Sequence, residues 1–144
     1  MKYLIKDIRI QPEHMKPSTA GANSVDLRAC MDETLVLMPG QQKIINCGIQ
    51  VELPSASMGM LLPRSGKGIK GVVLGNLVGN IDPDYRGDIK VCLWNRGIET
   101  QVIEPMERIA QFVVLSAYNP NWIQATELTD TSRGAGGFGS TGSS

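Results

Sequence analysis

The stretch "TLVLMPGQQKIINCGIQVELP", residues 34 to 54, decides the fold class of this chain. Its apolar residues come in short runs of Leu, Val and Ile, without the spacing of an amphipathic helix. Pro39-Gly40 is a turn signal between two such runs, and Pro54 ends the second one. The stretch therefore predicts two short β-strands joined by a turn.

Short β-rich runs between turn signals continue along most of the chain. Further predicted strands are Tyr3–Ile10, Val25–Ala29, Met58–Leu62, Gly71–Leu74, Asp88–Trp94, Thr100–Ile103, Ile109–Ala117 and Trp122–Leu128. One short helix fits at Gly66–Lys70, and the run 109–117 is apolar on both faces, which is typical of a strand buried on both sides or at a subunit interface. So many short strands at regular spacing predict an all-β sandwich or barrel.

Composition excludes several classes of function. The chain has 144 residues, enough for one domain, and a formal net charge of zero. Without a run of like charges there is no electrostatic case for binding nucleic acid or a membrane surface. The apolar runs are too short to span a bilayer, and the first residues do not resemble a signal peptide. Three well-separated cysteines fit neither a zinc site nor a disulfide framework, and they predict buried free thiols in a reducing cytoplasm.

The first candidate site is "LLPRSGKG", residues 61 to 68. A predicted strand ends at a proline, and Arg64 and Ser65 follow where a helix would begin, an arrangement that favours anions. The segment is not a Walker loop, because Leu61 stands in place of the first glycine and Gly68 in place of Ser or Thr. An ordinary turn with a surface arginine explains the segment equally well.

The second candidate is "VLGNLVGNIDPDYRGDI", residues 73 to 89. Its glycines predict a tight hairpin in which Gly75 and Gly79 supply unusual backbone angles. Asp82, Asp84 and Tyr85 follow within four positions, and the two aspartates share one face if the strand continues past Pro83. A turn in which the aspartate side chains stabilise the backbone by hydrogen bonds is an equally good interpretation.

The third candidate is "ERIAQFVV", residues 107 to 114. Gln111 interrupts an apolar pattern, so its amide needs a partner. Strict strand parity places Arg108 and Gln111 on opposite faces, so the pattern leaves open whether they converge. With the glycine-rich tail "RGAGGFGSTGSS" (133–144) and its single Phe138, the three candidates together suggest a nucleotide ligand.

Five segments in order resemble the five motifs of the trimeric dUTPases (deoxyuridine triphosphate nucleotidohydrolases). They are "VDLRA" (25–29), "PRSG" (63–66), "GNLVGNIDPDYRG" (75–87), "ERIAQ" (107–111) and "RGAGGFGSTG" (133–142). The resemblance implies a jelly-roll-like β domain over residues 1–132, a flexible C-terminal arm over 133–144 that acts as an active-site lid, and a homotrimer with active sites shared between subunits. Ordered motifs at family-like spacing are far more specific than any single motif.

The resemblance also implies an activity, the Mg²⁺-dependent hydrolysis of dUTP to dUMP and diphosphate. This reaction would keep uracil out of DNA and supply dUMP for thymidylate synthesis. By resemblance, Asp82 is the general base for the attacking water, and Asp26 contacts Mg²⁺ through water. The other implied substrate-binding residues fall into two groups. For the phosphates they are Arg64, Ser65 and Gly66 from a neighbouring subunit, Gln111, Arg133 and, around the γ-phosphate, Gly139, Ser140 and Thr141. For the nucleoside they are Asn76, Asn80, Ile81 and Lys90 at the uracil edge, Phe138 stacked on uracil, and Tyr85 under the sugar.

The chain departs from the family pattern near two motifs. Asn23-Ser24-Val25 precede Asp26 where a small residue and glycine are usual, and Lys67 follows "PRSG" where leucine is usual. The segment from Pro63 to Asn76 is also one residue shorter than usual. The sequence leaves open whether Lys67 binds phosphate or faces solvent.

Three alternatives share some of these features. A dCTP deaminase of the same fold would need a glutamate where this chain has Cys92. A sensor that binds dUTP without turnover would not need the complete catalytic set, although a second role on the surface is compatible with the sequence. A purely structural β trimer leaves the five ordered motifs without explanation.

Overall fold

The computed structural model describes residues 1–137 as a β protein with one short helix. The strands are β1 (Lys2–Ile5), β2 (Ser24–Arg28), β3 (Leu35–Leu37), β4 (Gln42–Asn46), β5 (Ile49–Glu52), β6 (Ser57–Pro63), β7 (Val72–Leu74), β8 (Gly79–Ile81), β9 (Lys90–Asn95), β10 (Gln101–Ile103) and β11 (Arg108–Ser116). Helix α1 spans Ser65–Gly68, and a 3₁₀ turn spans Pro12–Met15. The all-β prediction is confirmed, and so is one short helix, which spans Ser65–Gly68 where Gly66–Lys70 is predicted.

The strands form four antiparallel groups around one core. The largest sheet has the order β2-β11-β6-β8, a second has the order β4-β9-β7, and β1-β5 and β3-β10 are separate pairs. Alternating side chains of these groups point into one apolar cluster that includes Leu27, Leu61, Leu93 and Phe112. The result is a jelly-roll-like sandwich, in which the sheets do not close into a barrel.

Strand β11 lies in the middle of the largest sheet, and its central aromatic residue packs against the neighbouring strand β6. Phe112 is almost fully buried, and its ring lies over Gly59 of β6, where an added Cβ would come within 2.6 Å of the ring. Both faces of β11 carry buried residues, as its apolar sequence predicts. The strand therefore holds β2 and β6, and the functional residues beside them, in a fixed relation.

The predicted hairpin at Gly75–Gly79 is wrong. β7 pairs with β9 and β8 pairs with β6, so the segment crosses from one sheet to the other. The positive φ in this turn belongs to Leu77, and Gly79 is needed for close packing, since an added Cβ would lie 2.9 Å from the Leu61 side chain. Strand β9 is longer than β7, and β6 is longer than β8. Each of the two short strands therefore finds more complete backbone hydrogen-bond partners in the longer strand than in the other short one.

Other differences lie near the ends of the chain. Strand β1 ends at Ile5, five residues before the end of the predicted strand Tyr3–Ile10. Residues 34 to 54 form three strands where two are predicted, because Gly48, at φ +70°, interrupts the second predicted strand. The predicted strand Trp122–Leu128 does not form, and Trp122 is 89% exposed in the single chain. Its apolar residues therefore have no partner strand within the described part of this chain.

The prediction about the thiols is confirmed in part. All three cysteines are free, Cys47 is buried, and Cys30 and Cys92 are half-buried. No helix among residues 1–137 is both long and apolar enough to cross a membrane.

Candidate functional site

A β-bulge in β11 brings together two side chains that strict alternation would separate. Against β2 the register shifts between Arg108, which pairs with Arg28, and Ala110, which pairs with Leu27. A bulge places one extra residue in its strand and re-aims the neighbouring side chains. Arg108 and Gln111 consequently face the same side of the sheet, which answers the question that the sequence left open.

The carboxylate of Asp26 is the centre of this face. Its Oδ1 accepts a hydrogen bond from Nε of Arg64 at 2.9 Å, and its Oδ2 accepts one from a terminal nitrogen of Arg108 at 3.1 Å. The Asp26 side chain is only 11% exposed. Gln111 is the strand partner of Asp26, and its amide donates to the Ser24 hydroxyl at 3.4 Å.

These four residues, Asp26, Arg64, Arg108 and Gln111, form what we call the two-arginine cluster. Two guanidinium groups against one carboxylate leave a net positive charge, and a terminal nitrogen of Arg64 also reaches the Arg108 carbonyl at 3.4 Å. Guanidinium groups with free donors bind phosphate oxygens well. The cluster is therefore suited to a polyanion such as a phosphate chain.

Helix α1 continues this face of the molecule. Arg64 has extended backbone angles at the position before the helix, and Ser65 and Gly66 are exposed in its first turn. The first N–H groups of a helix have no acceptor within that helix. Ser65 and Gly66 thus present backbone donors next to the Arg64 guanidinium.

Asp82 lies in a separate cleft of about 320 Å³, lined also by Ser57, Met58, Asn80 and Tyr118. The Asn80 side chain donates a hydrogen bond of 3.0 Å to one carboxylate oxygen of Asp82. Both residues are exposed and project from the same face of the chain, because they are two positions apart. The Asp82 cleft therefore presents an accessible carboxylate whose orientation is set by Asn80.

The remaining predicted base- and sugar-binding residues lie between the turn before β8 and the start of β9. The Tyr85 hydroxyl donates to the Asp88 carbonyl at 3.0 Å, so the ring closes over the turn at Gly87. The Asp88 carboxylate accepts from Gln50 and Asn46, and these hydrogen bonds lower its pKa. The other three members of this group are Asn76 in the exposed turn before β8, the half-buried Ile81, and Lys90 at the start of β9.

The two-arginine cluster and the Asp82 cleft lie at opposite ends of β6. Ile81 pairs with Gly59, which places Asp82 beside Met58, whereas Arg64 directly follows Pro63 at the other end of the strand. At 3.2–3.4 Å per residue, the six steps along the chain from Met58 to Arg64 span roughly 20 Å. The described part of the chain therefore does not bring the predicted base and the predicted phosphate-binding residues onto one small ligand.

Arg133 lies near the end of the described chain. Its Nε donates to the Gly136 carbonyl at 3.0 Å within an exposed turn. The predicted positions Phe138, Gly139, Ser140 and Thr141 lie outside the described residues.

Residues 1–137 offer few protein ligands for a magnesium ion. No group of three or more His, Cys, Asp or Glu side chains in residues 1–137 is placed to hold a metal. Asp26 supplies hard oxygen atoms, but both of them already accept hydrogen bonds from arginines. This donor set fits an ion carried mainly by phosphate oxygens and water, as Mg²⁺ is in many nucleotide enzymes.

Sequence reasoning left two members of this region without a role. Ser24 stands out in the sequence only as a departure from the family pattern, and in the structure its hydroxyl accepts a hydrogen bond from the Gln111 amide. The sequence pattern leaves the orientation of Arg108 open, and in the structure Arg108 shares Asp26 with Arg64. The need of Gln111 for a partner was the one signal that pointed to Ser24, and no local signal indicated the bulge.

The comparisons with known sequences agree on one family. A family model described as dUTPase matches residues 11–142. The chain is 50% identical over 128 residues to the deoxyuridine 5'-triphosphate nucleotidohydrolase of Neisseria meningitidis serogroup C, covering 88% of this chain and 85% of that relative. It is 46% identical over 148 residues to the protein of the same name from Acinetobacter baumannii, covering 99% of each chain.

Solved structures show the same fold. The dUTPase of Staphylococcus bacteriophage 80alpha with dUPNHPP matches with a TM-score of 0.83 and 23% identity, covering 99% of this chain and 98% of that one. A mutant dUTPase from phage phi11 of S. aureus, whose structure concerns the coordination of a structural Mg(II) ion, matches with a TM-score of 0.77 and 20% identity over 90% of this chain and 98% of that one.

Proposed function

This chain belongs to the dUTPase family, and from that premise we propose that it hydrolyses dUTP to dUMP and diphosphate. The observation that carries the proposal is the two-arginine cluster, which the bulge in β11 assembles on one face. It supplies net positive charge and directed donors of the kind that binding a triphosphate requires. The accessible carboxylate of Asp82 supplies the other half of the chemistry.

In the proposed reaction, Asp82 accepts a proton from a water molecule as its oxygen attacks the α-phosphorus of dUTP. The bond between the α-phosphorus and the oxygen that bridges to the β-phosphate breaks, and diphosphate leaves with that electron pair. Positioning and charge neutralisation supply most of the rate in such a displacement. The 3.0 Å hydrogen bond from Asn80 orients the carboxylate for this role.

Magnesium, when bound, would supply charge neutralisation and orientation of the phosphate oxygens. Asp26 would face it through water, and the two arginines would continue to hold Asp26 in place. Arg64 and Arg108, with the backbone N–H groups of Ser65 and Gly66 and the amide of Gln111, would bind the phosphates directly.

The roughly 20 Å between Asp82 and Arg64 along β6 supports a site shared between copies of the chain. A bound dUTP needs both groups within a few ångströms of its α-phosphate, so they must come from different subunits. A cyclic homotrimer satisfies this requirement, because each interface then forms one site. The exposed Trp122, Ile123 and Leu128 also support assembly, since residues 1–137 of the single chain leave this apolar segment without cover.

Selectivity would depend on the segment that runs from the turn before β8 to the start of β9. Asn76, Asn80, Ile81 and Lys90 would contact the uracil edge, and Tyr85 would lie under the deoxyribose. A close fit would exclude the thymine methyl group sterically, and mismatched hydrogen-bonding groups would reject cytosine. A lid formed by Arg133, Phe138, Gly139, Ser140 and Thr141 stays a prediction, as does the division into residues 1–132 and an arm.

In a cell, this turnover would keep uracil out of DNA and supply dUMP for thymidylate synthesis. We place it in the cytoplasm on the strength of the three free thiols, which suit a reducing compartment.

The test is diphosphate release from dUTP, dTTP, dCTP and UTP with Mg²⁺. It compares the full chain with Asp82→Asn, with a chain ending at Ser132, and with Asp84→Asn as a matched control on the same loop. We expect release from dUTP alone, a loss of roughly 100-fold or more for Asp82→Asn, and unchanged activity for Asp84→Asn. Binding of dUTP without cleavage by the full chain indicates a sensor, and ammonia release from dCTP indicates a deaminase; either result contradicts the proposal.

A further inference from the structure

Lys67 follows the Arg64–Gly66 segment, and its side chain turns away from solvent. Its ammonium group forms an ion pair with Glu107, and the two side chains are 14% and 32% exposed respectively. Lysine is rarely covered to this extent unless its charge is paired. Glu107 is therefore the partner that accounts for the position of Lys67.

Glu107 is itself held by the turn between β10 and β11. Its second carboxylate oxygen accepts the N–H of Glu104 at 3.0 Å, and its own N–H donates to the Glu104 carbonyl at 3.1 Å. The ion pair thus connects α1 to a turn that is closed by two hydrogen bonds. A lysine at this position has a fixed anchor, which leaves it little freedom to reorient.

A second connection runs beside the first. Arg64, three residues before Lys67, is bonded through Asp26 to Arg108, which directly follows Glu107. The same short segment is thus joined twice to the same turn, once through Asp26 and once directly. Two connections at different points restrict rotation of the segment, which a single connection would allow.

We infer that Lys67 is a positioning residue: with Glu107 it sets the placement of Arg64, Ser65 and Gly66 relative to Arg108, and it does not itself bind phosphate. The inference rests on the proposed function, because it concerns the phosphate-binding half of that site. For Lys67 to bind phosphate it would have to leave Glu107, and a half-buried carboxylate would then lie uncompensated near a polyanion. Like charges at short range oppose that rearrangement.

Steady-state kinetics with dUTP and Mg²⁺ distinguish the two roles. The variants are Lys67→Met, Lys67→Arg, Glu107→Gln and the double variant Lys67→Met with Glu107→Gln, and the control is Lys70→Met, an exposed lysine on the same segment. We expect each of Lys67→Met and Glu107→Gln to lower kcat roughly 10-fold with little change in KM, because misplaced groups lose transition-state contacts. The double variant should have a kcat no lower than that of either single variant. Lys67→Arg should retain most of the activity of the unsubstituted chain. Lys70→Met should have the same kcat and KM as the unsubstituted chain.

A phosphate-binding lysine gives a different result. Lys67→Met would then raise KM, and Glu107→Gln would leave activity unchanged or increase it, since the lysine would be released toward the substrate. Opposite effects of these two substitutions overturn the inference.

Amide hydrogen exchange of the substrate-free protein provides a readout that does not depend on activity. The N–H groups of Gly68 and Ile69 donate to the carbonyls of Arg64 and Ser65, and they report on the rigidity of α1. We expect exchange over residues 65–71 to become several-fold faster in both Lys67→Met and Glu107→Gln and to stay unchanged in Lys70→Met. Unchanged exchange in the first two variants contradicts the inference, whereas absence of dUTP hydrolysis by the unsubstituted chain contradicts only the proposed function.

Discussion

Arg64 and Asp26 are 38 residues apart in the chain, and their side chains form an ion pair of 2.9 Å that joins the end of β6 to β2. The same carboxylate holds Arg108, so one acidic residue sets the positions of two basic ones. In the proposed enzyme this arrangement orients the phosphate-binding groups before substrate arrives, which reduces the entropy lost on binding.

Replacing Asp26 by Asn should weaken both ion pairs at once. We expect unfolding in urea to show a loss of about 1–2 kcal/mol, since the hydrogen bonds are charge-assisted but partly exposed. Turnover of dUTP should fall by roughly 100-fold as the arginines lose their fixed positions. Asp32→Asn is the control, because that carboxylate also pairs with an arginine but is 93% exposed; equal losses in the two variants would contradict the structural role of Asp26.

The separation of Asp82 from Arg64 predicts complementation between inactive variants. Arg64→Ala and Asp82→Asn chains should each be inactive, but when they are mixed, unfolded and refolded together they should regain up to roughly a quarter of full activity. In a randomly assembled ring, that fraction of sites combines an intact Arg64 from one copy with an intact Asp82 from the next.

The control for this experiment is a mixture of Asp82→Asn with chains that carry both substitutions, in which no site has both residues. Recovery in that mixture, or none in the first, argues against a shared site.

Acid should remove a stabilising contribution from Asp7. Hydrogen bonds from the Arg9 side chain, followed by that from its backbone N–H, lower the pKa of this carboxyl from 3.8 to about 2. A carboxylate with a lowered pKa in the folded state stabilises the protein fully above the unfolded value, and this contribution is lost as the pH falls from about 4 toward 2. The Tm of Asp7→Asn should therefore differ most from that of the unsubstituted chain at pH 7, and the two Tm values should converge near pH 2. A difference in Tm that stays constant with pH would show that the ion pair does not titrate as described.

Cys30 should resist alkylation in the folded protein. Burial, followed by the nearby Asp7 charge, raises the pKa of its thiol to about 11, and the thiolate is the reactive form. We expect iodoacetamide at pH 8 to modify Cys30 at least about 10-fold more slowly in the folded chain than in urea, even allowing for the greater intrinsic nucleophilicity of a high-pKa thiol. Mass spectrometry of peptides from both conditions measures the two rates, and equal rates would exclude the protected environment.

Gly59→Ala should destabilise the central sheet. The new Cβ would lie 2.6 Å from the Phe112 ring and 3.1 Å from Cβ of Ile81, so β8 and β11 would have to move. Overpacking of this kind costs about 1–3 kcal/mol. Gly21→Ala is the matched control, because no atom lies within 4 Å of its added Cβ; thermal unfolding should show a lower Tm for the first variant only.

Local sequence patterns were sufficient for the class of fold and for most of its elements. Runs of β-branched and aliphatic residues predicted strands, and β6, β9 and β11 lie close to where these runs occur. A short helix was also predicted, at Gly66–Lys70, and it lies at Ser65–Gly68. The prediction failed at Trp122–Leu128, where strand-forming residues have no partner strand within the described chain.

Motif order alone pointed to the residues of the proposed site, and a single chain sequence was enough for that. Only the tertiary structure decided how these residues are grouped: the bulge that turns Arg108 toward Asp26, the crossing of residues 75–78 between sheets, and the placement of Asp82 and Arg64 at opposite ends of β6. The physical reason is that a residue's own neighbours determine which of its faces is apolar, whereas its strand partner and register depend on segments far away in the chain. A shift of one residue, as in the bulge of β11, is invisible in composition and yet determines which side chains meet.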